Sequence, residues 1–570
     1  MLQIASGRFF ETTDLYEHAG TGVLYSNFSW VREIVTSAAT LIPADTTSGS
    51  SPTSWVVHYV NRMEKIERAG ALVRVGDAEL IEQIQLLCIL GLGAFFHVDR
   101  DVVAHGCRPR SVGQHDHNPP AMFVTRLLQP SVPGTVVDEA HLQKFIDDAI
   151  HLPRAKYKAV VACARALCDS LVVASYNIHL AYSMLVYALE SLSQQFDAFE
   201  PTWDHFEQGF RNQLESALDG ASDSVSEAVK EVLTSTQHNK LMARFVEFVT
   251  KHVTDEYYRG ESPATGALRA SDLTRALQTA YATRSGFVHK LEPIRAQICV
   301  PQIASGEIFE WDQRPHFTYR GLVRLLRHVL TTFVEQGERL ESEPYPWRGE
   351  IPGVVVLNLA PQYWIWKADD FSSAKAPSVL SGFLTHFNEV RTNSSAFTDM
   401  RAVLAKCVEL LPGAKAREKR AMLLLIALFN LAVREEDRVP RWNDHFEKHA
   451  NALENCCVER LILDLLLDQE WTWSAADCAA CVEEYGKKRH HKDTLQIPRI
   501  QQRALVLGVY NKMITEGLTD TATIWARRAL LDEAGAPDLQ SMIESTAAKF
   551  ERFDLKAMMW GHDPEQKRDT

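Results

Sequence analysis

Apolar residues recur at the three-and-four spacing of amphipathic helices over most of the chain beyond residue 139. One segment, Tyr176–Phe196, is apolar nearly all round, which is typical of a helix buried in the centre of a core. The helices predicted in the middle of the chain are Glu139–Leu152, Lys156–Phe196, Phe206–Leu233, Leu241–Tyr258, Ser271–Leu291 and Tyr319–Glu335.

The two ends of the chain follow different patterns. Before residue 76, short β-favouring runs such as LQIASGRFF (2–10), GTGVLYSNFSW (20–30) and SWVVHYV (54–60) alternate with polar turn residues, and a helix is predicted at Asp77–Phe96. From about Ser373 the helical spacing returns without a fixed repeat. The C-terminal helices predicted are Ala402–Leu411, Lys419–Val433, Val458–Leu467, Asp477–Tyr485, Ile500–Thr515 and Thr521–Leu531.

These patterns predict a mainly α protein in three parts. A small mixed α/β N-terminal domain covers residues 1–150, a central helical domain covers 151–345, and a C-terminal helical bundle or irregular solenoid covers 346–570. The second boundary lies in a stretch rich in Glu, Pro and Gly, which ends in a strand-like run, GVVVLNLA (353–360).

The helix predicted over Ser271–Leu291 carries an arginine inside its apolar stripe. Arg284 stands where the spacing requires another apolar residue, and a guanidinium is not buried without a partner. Glu190, near the end of the preceding apolar helix, is the natural partner. His289 falls in the last turn, about 140° around the helix axis from Arg284, with Ser285 on the same side as His289. The sequence therefore predicts a polar notch in a packing face.

Two segments resemble the HEPN domains of prokaryotic toxin and defence ribonucleases. RSGFVH (284–289) is similar to their R-polar-x-x-x-H motif, with serine where asparagine or aspartate is commoner. The apolar helix AYSMLVYALESL (181–192) is similar to the helix that precedes the motif in the Apea-like HEPN subgroup. The resemblance covers roughly residues 155 to 335. It implies a metal-independent endoribonuclease that serves as a toxin or anti-phage effector, works as a symmetric homodimer through the central domain, and answers to an unknown trigger.

The chemistry of the three residues fits that implication. RNA supplies its own nucleophile, the 2′-OH, so a site needs a proton acceptor or donor and a cation for the charge on the phosphate. His289 suits the first role, and Arg284, which stays charged at any working pH, suits the second. Ser285 is positioned to hydrogen-bond the histidine or the scissile phosphate. No metal and no other cofactor is required.

Basic residues outside the motif offer further contacts for an anionic partner. Arg320, Arg324 and Arg327 form a row at i, i+4 and i+7 on one helix, which is either a solvated face or a stripe that binds RNA phosphates. The run KKRHHK (487–492) is the most basic in the chain and is either a solvated loop or an outer contact for an anion.

Two other functional hypotheses remain open. The central domain is alternatively a non-catalytic HEPN module that binds a nucleotide, a nucleic acid or a protein partner, with Arg284 and Glu190 as a structural pair. Alternatively, the N-terminal stretch is a metal site, although its spacings match no common zinc pattern. The possible ligands in that stretch are His97, Asp99, Asp101, His105, Cys107, His115, Asp116 and His117.

Several motif matches carry less information than the motif helix. Arg-x4-His also occurs at Arg100/His105, in a predicted strand-and-loop context, and at Arg110/His115. The Cys478-x-x-Cys481 motif lies in a helical pattern, and the upstream pair, Cys456-Cys457, lacks the CxxC spacing. Both features favour packing thiols over a zinc site.

Charge and cysteine usage limit the class of protein. The formal charge is −13 and the sequence pI is about 5.9, so an RNA contact must be a local basic patch on an acidic body. The ten cysteines are scattered and are expected to be reduced thiols. Because neither a signal peptide nor a membrane span is evident, a cytoplasmic protein is expected.

Overall fold

A computed structural model of the chain gives its architecture, and 62% of the protein is helical. The mainly α fold with a small sheet near the N-terminus is thereby confirmed. The structure describes residues 1–560 apart from 45–51, 66–76, 109–119, 125, 198–201, 204–205, 207, 235–236, 261, 264, 300–305, 352–358, 394–396 and 492–493.

The alternating N-terminal segments form a five-stranded antiparallel sheet. Two long strands pair over their full length, with Val23 opposite Val56 and Ser26 opposite Thr53. Alternate side chains such as Leu24 and Trp55 are buried against the helices, as expected for a sheet with one covered face. In the order of hydrogen-bonded neighbours, the strands are Ile34–Val35, Ala39–Pro43, Thr53–Glu64, Leu15–Ser26 and Phe96–His97.

The first residues of the chain form a helix, and the strand predicted at LQIASGRFF is wrong. Leu2–Ala5 is helical and buried, and the Leu2 amide donates a hydrogen bond to Gln83 Oε1 at 2.9 Å. The Gln3 side-chain amide donates to the carbonyl oxygens of Ile150 and Leu152. A short apolar run has the same appearance in a buried helix and in a strand, so periodicity alone does not separate them.

The chain divides into two compact units, Met1–Val356 and Leu357–Thr570. The predicted segments 1–150 and 151–345 both lie in the first unit and contribute to one continuous hydrophobic core. The helices of this unit are Leu2–Ala5, Ala78–Leu92, Arg100–Gly106, Val136–Ile150, Arg154–Val173, Ile178–Phe196, Gln208–Ala217, Asp223–Thr234, Gln237–His252, Asp255–Arg259, Leu273–Lys290, Ala296–Cys299 and Tyr319–Glu335. Its remaining strands are Phe28–Ser29, Val132–Pro133, Ile308–Trp311 and Arg314–Phe317.

The helix Ile178–Phe196, called the central helix below, lies at the centre of the hydrophobic core of the first unit. It packs against Arg154–Val173, Gln237–His252, Tyr319–Glu335 and Leu273–Lys290, which we call the motif helix. Asn177 caps the central helix by accepting a hydrogen bond from the Leu180 amide. One face is nonetheless exposed, although the composition of the helix predicted burial all round.

The second unit consists of helices in the described part of the chain. The six helices predicted there are confirmed, each to within one turn at either end. Ala416–Ala432 and Arg499–Thr515 each pack against several neighbours and organise one core. The helices are Ala376–Asn393, Arg401–Leu410, Ala416–Ala432, Trp442–His449, Val458–Leu466, Ala475–Lys488, Arg499–Thr515, Thr519–Asp532, Pro537–Ala548 and Leu555–Trp560.

Two further features bear on the sequence predictions. In the described residues, no helix combines the length and the apolar character needed to cross a bilayer. Most of the run predicted as strand-like at 353–360 lies outside the described residues.

Candidate functional site

The motif helix begins and ends where its sequence predicts. Asp272 is the N-cap, and the helix runs from Leu273 to Lys290. Leu291 adopts a left-handed conformation with φ of 55°, and its amide donates to the Phe287 carbonyl at 2.9 Å. Pro293 cannot continue a helix because it has no amide hydrogen. His289 therefore lies in the last helical turn.

Arg284 and Glu190 form an ion pair between the motif helix and the central helix. Nη2 of Arg284 lies 3.0 Å from Oε2 of Glu190, and the side chains are only 13% and 6% exposed. The partner predicted for Arg284 from the sequence is therefore the one that the fold supplies. Because both charges are largely withdrawn from water, each side chain depends on the other for neutralisation.

Tyr281 belongs to the same cluster, although it counts as an apolar core position in the sequence. Its hydroxyl donates a hydrogen bond to Oε1 of Glu190 at 3.3 Å, and the Gln194 amide donates to the same oxygen at 3.2 Å. Burial and the adjacent Glu190 carboxylate raise the pKa of Tyr281 to about 12. The available signal was its place one turn before Arg284, on the same helix face.

The buried face of the motif helix emerges into solvent next to Arg284. Leu277, Tyr281, Arg284, Val288 and Leu291 form one stripe at alternating spacings of four and three. The first two are buried, whereas Val288 is 47% and Leu291 is 77% exposed. Arg284 thus marks the point at which an apolar face leaves the core.

The neighbouring face of the central helix is exposed as well. Tyr187 is 58% exposed, and its ring centroid lies 5.8 Å from Cζ of Arg284. Leu180, two turns earlier on the same face, is also exposed. Apolar side chains from two helices therefore surround the Arg284–Glu190 pair on its solvent side.

Ser285 and His289 are not joined to the ion pair. Ser285 is half-buried and His289 is exposed, and neither side chain has a hydrogen-bond partner among the described residues. On an α-helix the two residues lie about 100° and about 140° around the axis from Arg284. Within one chain, the predicted notch is therefore divided between two faces of the helix.

A large cavity lies on the His289 side of the motif helix. Its volume is about 800 Å³. Arg275 and Ala282 line it. His289 is seven residues beyond Ala282, as Ala282 is beyond Arg275. Because seven residues make almost two full turns, the three side chains lie on nearly the same side of the helix, offset by about 20° from one to the next. Arg295 and a β-hairpin that packs against this helix also line the cavity.

The hairpin, Ile308–Trp311 with Arg314–Phe317, is an element that the sequence patterns missed. Its two-residue turn, Asp312-Gln313, has positive φ at both positions and lacks the Asn-Gly or Asp-Gly signal that marks such turns. Trp311 is 40% exposed beside Arg295, whose Cζ lies 5.5 Å from the indole centroid. The hairpin gives the cavity an aromatic face next to a cation.

His316, from the same hairpin, is a polar group buried against the cavity. Nδ1 of its ring has no hydrogen-bond partner in the described part of the structure. Burial, reinforced by Arg295 and Arg314, lowers the pKa of His316, so the ring is neutral near pH 7. A neutral imidazole nitrogen can accept or donate a hydrogen bond to a ligand, depending on its tautomer.

The predicted row of Arg320, Arg324 and Arg327 is engaged within the first unit. Arg324 pairs with Glu307, donates to the Tyr257 carbonyl at 2.9 Å and stacks on the Tyr257 ring. Phosphate binding by this row stays a prediction, and a phosphate would have to displace protein partners to reach Arg324.

The other two members of the row also bond to protein. Arg320 donates to the carbonyl oxygens of Met122 and Phe123, and Arg327 donates to the Leu90 carbonyl at 3.0 Å. Burial, with Arg126 nearby, lowers the pKa of Arg327 to about 10. These contacts favour a role in joining the central helices to the N-terminal part of the unit.

The N-terminal stretch of possible metal ligands forms local contacts instead. Asp99 caps a helix at Arg100–Gly106 by accepting a hydrogen bond from the Asp101 amide, so the strand-and-loop context predicted for Arg100/His105 is wrong. The capping carboxylate allows the helix to start there. Cys107 is buried, which raises the pKa of its thiol to about 12. Arg110, His115, Asp116 and His117 lie outside the described residues.

Among the described residues, no group of three or more His, Cys, Asp or Glu side chains is arranged to hold a metal ion. Cys456, Cys457, Cys478 and Cys481 are free thiols. Cys456 lies within hydrogen-bonding reach of Cys478 and Cys481, which lowers the pKa of its thiol to about 4.

Comparisons of this chain with protein-family models, with curated proteins and with solved structures find no match. The HEPN resemblance therefore stays a prediction that rests on the two segments quoted above.

Proposed function

We propose that this protein is a metal-independent endoribonuclease that cleaves RNA through attack of the 2′-OH. The observation that carries the proposal is the Arg284–Glu190 pair, because it joins the two segments that carry the HEPN resemblance at the positions expected from the sequence. His289, in the last turn of the same helix, is exposed and without a side-chain hydrogen bond in the described structure.

His289 acts in this proposal as the proton acceptor or donor. Its ring is accessible to solvent, and an imidazole can act as either the base or the acid in transesterification. Arg284 provides the cation for the phosphate, and its guanidinium is oriented by Glu190, which in turn accepts a hydrogen bond from Tyr281. Ser285 binds the phosphate rather than orienting the histidine, since it makes no hydrogen bond to His289.

The active form in this proposal is a symmetric dimer. One chain offers one histidine, whereas transesterification of RNA is best served by a base at the 2′-OH and an acid at the leaving 5′-oxygen. Tyr187, Val288 and Leu291 form an exposed apolar surface around Arg284. A two-fold axis through this surface would bring two copies of Arg284 and His289 together.

The cellular role that follows is a toxin or an anti-phage effector in the cytoplasm, released by an unknown trigger. The direct test is incubation of the purified protein with total RNA in EDTA, beside His289→Ala and Arg284→Ala variants. Cleavage by the wild type that both variants lose supports the proposal. Cleavage that both variants retain would place the activity elsewhere in the chain or in a contaminant.

A second candidate function is a non-catalytic HEPN module that binds a nucleotide, a nucleic acid or a protein. The observation that favours it is the separation of Arg284 and His289 on different helix faces, with the guanidinium already held by a carboxylate. The cavity of about 800 Å³ beside Trp311 and Arg295 has the size of a ligand site. Saturable binding of RNA or nucleotides without cleavage would select this function.

A further inference from the structure

A second cavity lies entirely within the second unit. It has a volume of about 360 Å³ and is formed by the helices Ala475–Lys488, Arg499–Thr515 and Thr519–Asp532 with the residues just beyond them. This volume lies within the range of sites that bind small organic molecules, which is roughly 300 to 1,000 Å³.

Four arginines line this cavity: Arg489, Arg499, Arg503 and Arg528. They face two carboxylates, those of Asp532 and Glu533. The chain as a whole carries a net charge of −13, so this concentration of cations runs against the overall composition. The local excess of positive charge favours an anionic ligand.

Glu533 forms ion pairs with two of the arginines. It is buried, and its Oε2 lies 3.4 Å from Arg499 Nη2 and 3.5 Å from Arg503 Nη1. Arg503 also donates to the Met558 carbonyl at 2.6 Å. These contacts hold one side of the cavity, and the other two arginines have no carboxylate partner among the residues that the structure describes.

Those two are Arg489 and Arg528. Nη1 of Arg489 donates to the Gln502 side chain at 3.1 Å, and its Nε donates to His490 Nε2 at 3.1 Å, which leaves its Nη2 without a described partner. Arg528 makes no hydrogen bond or ion pair in the described part of the chain, and its Cζ lies 5.0 Å from the Trp525 ring centroid. Both guanidinium groups therefore retain donors for a ligand.

Gly486 provides the space for Arg528. A Cβ atom at position 486 would lie 2.9 Å from Nη2 of Arg528, so any larger side chain would enter the region that this guanidinium occupies. The remainder of the wall is mostly apolar and comes from Val482, Tyr485, Leu505, Val506 and Ala529. The cavity thus combines a cationic side with an apolar side.

We propose that this cavity binds a small phosphate monoester of mononucleotide size. The phosphate carries nearly two negative charges at neutral pH, which match the two guanidinium groups that form no ion pair with a described carboxylate. Arginine binds phosphate oxygens through paired N–H donors, and here Arg489 and Arg528 provide them. The organic part of the ligand lies against Val482, Leu505 and Ala529.

The test is isothermal titration of the full-length protein in phosphate-free buffer. The probes are the four ribonucleoside 5′-monophosphates, each used alone, with inorganic phosphate and adenosine as the separated parts of one of them. The expected result is saturable binding, one ligand per chain, of at least one monophosphate, with weaker binding of inorganic phosphate and none of adenosine. Binding is measured without RNA, so its outcome is independent of the proposed nuclease activity.

Arg528→Ala should weaken this binding at least tenfold, and Arg527→Ala is the matched control. Arg527 is the preceding residue on the same helix, is exposed and does not line the cavity. Gly486→Leu should abolish binding by filling the space, without removing a charge. Melting temperatures near that of the wild type verify that each variant is folded.

Any of four results would overturn the proposal. The first is an absence of saturable binding by all four monophosphates. The second is binding that Arg528→Ala and Gly486→Leu leave unchanged in folded protein. The third is adenosine binding as tightly as its monophosphate, because the arginines would then not recognise the phosphate. The fourth is equal binding of inorganic phosphate and the monophosphates, because the organic part of the ligand would then contribute nothing to binding.

Discussion

The guanidinium of Arg284 lies 3.0 Å from the carboxylate of Glu190, in a pair that joins the motif helix to the central helix at the edge of the core. Both side chains are largely buried, whereas His289 on the same helix is exposed. The two motif residues therefore differ in what they contribute to stability, and this difference can be measured separately from activity.

Arg284→Ala should reduce both stability and activity. It leaves the buried Glu190 carboxylate without its cation, which costs on the order of 3 kcal/mol in the free energy of unfolding. His289→Ala removes an exposed side chain and should change stability by no more than about 0.5 kcal/mol. Both variants should lose RNA cleavage. Urea denaturation and an RNA gel assay measure the two properties.

The double variant Arg284→Met with Glu190→Gln is the control for stability. It removes both charges and should be more stable than Arg284→Ala while still failing to cleave RNA. Full cleavage by this double variant would mean that the guanidinium has no part in the reaction.

Cleavage should not depend on a metal ion. The proposed chemistry uses the 2′-OH, an imidazole and a guanidinium, and it leaves a 2′,3′-cyclic phosphate and a 5′-hydroxyl. Activity should survive EDTA, and the cleaved RNA should become a substrate for 5′-phosphorylation without prior phosphatase treatment. Products with a 5′-phosphate, or activity restored only by Mg²⁺, would indicate a metal nuclease instead.

Val288→Glu should weaken the proposed dimer. Val288 is exposed one turn beyond Arg284, and a carboxylate there would be buried without a partner at a two-fold interface. Light scattering after size exclusion should show twice the chain mass for the wild type and the mass of one chain for the variant, which should also lose specific activity. Thr274→Glu adds the same charge to an exposed position near the start of this helix and is the control.

A truncated chain of residues 1–356 should be folded and more toxic to cells than the full-length protein if the second unit restrains the nuclease. A fragment of residues 150–345 should not fold, because buried contacts cross its N-terminal boundary. Tyr157 donates to Gln83 at 2.7 Å, and Arg154 donates to Gln3 at 3.2 Å. Growth assays and circular dichroism of both fragments test this, and lower toxicity of a folded 1–356 chain would contradict restraint by the second unit.

Acid should destabilise the first unit through His328. Its Nε2 accepts a hydrogen bond from the Thr254 amide at 3.2 Å, and burial with Arg324 and Arg327 nearby lowers the pKa of the ring to about 4. In the unfolded chain the pKa is about 6.5, so between these values the unfolded state binds more protons. The free energy of unfolding should therefore decrease as the pH falls from about 6.5 to about 4.

His328→Gln should flatten this dependence, because glutamine does not titrate. Urea denaturation between pH 4 and pH 7 gives the slope for each variant, and His289→Gln, at an exposed site, is the control. An unchanged slope in His328→Gln would assign the acid sensitivity to other groups.

The helices and the ion pair could be predicted from the sequence because both follow from local rules. The period of the apolar residues gives the helix, and Arg284 in that stripe requires a buried carboxylate, for which Glu190 was the available choice. The same reasoning gave Tyr319–Glu335 with its observed ends, since the Thr318 side chain caps its first turn.

The tertiary structure alone decided which side chains meet across the fold. The sequence pattern predicts Tyr281 as an apolar core residue. Its hydrogen bond to Glu190 exists because two helices that are distant in sequence are packed together. Likewise, the sequence pattern alone is compatible with Arg324 as an exposed cation, whereas in the structure it contacts Glu307 and Tyr257. The turn of the hairpin that carries Trp311 and His316 lacks the residues that usually mark such a turn. The hairpin, and the cavity that it lines, therefore could not be predicted from the sequence.

The sequence by itself therefore determined the helical class, the ends of the motif helix and the need of Arg284 for a partner, because these depend on periodicity, capping and the cost of burying a charge. The tertiary structure decided that residues 1–150 share a core with the central helices, that the three arginines bond to protein, and that four other arginines surround one cavity. These properties depend on contacts between residues far apart in the chain, which no local pattern encodes.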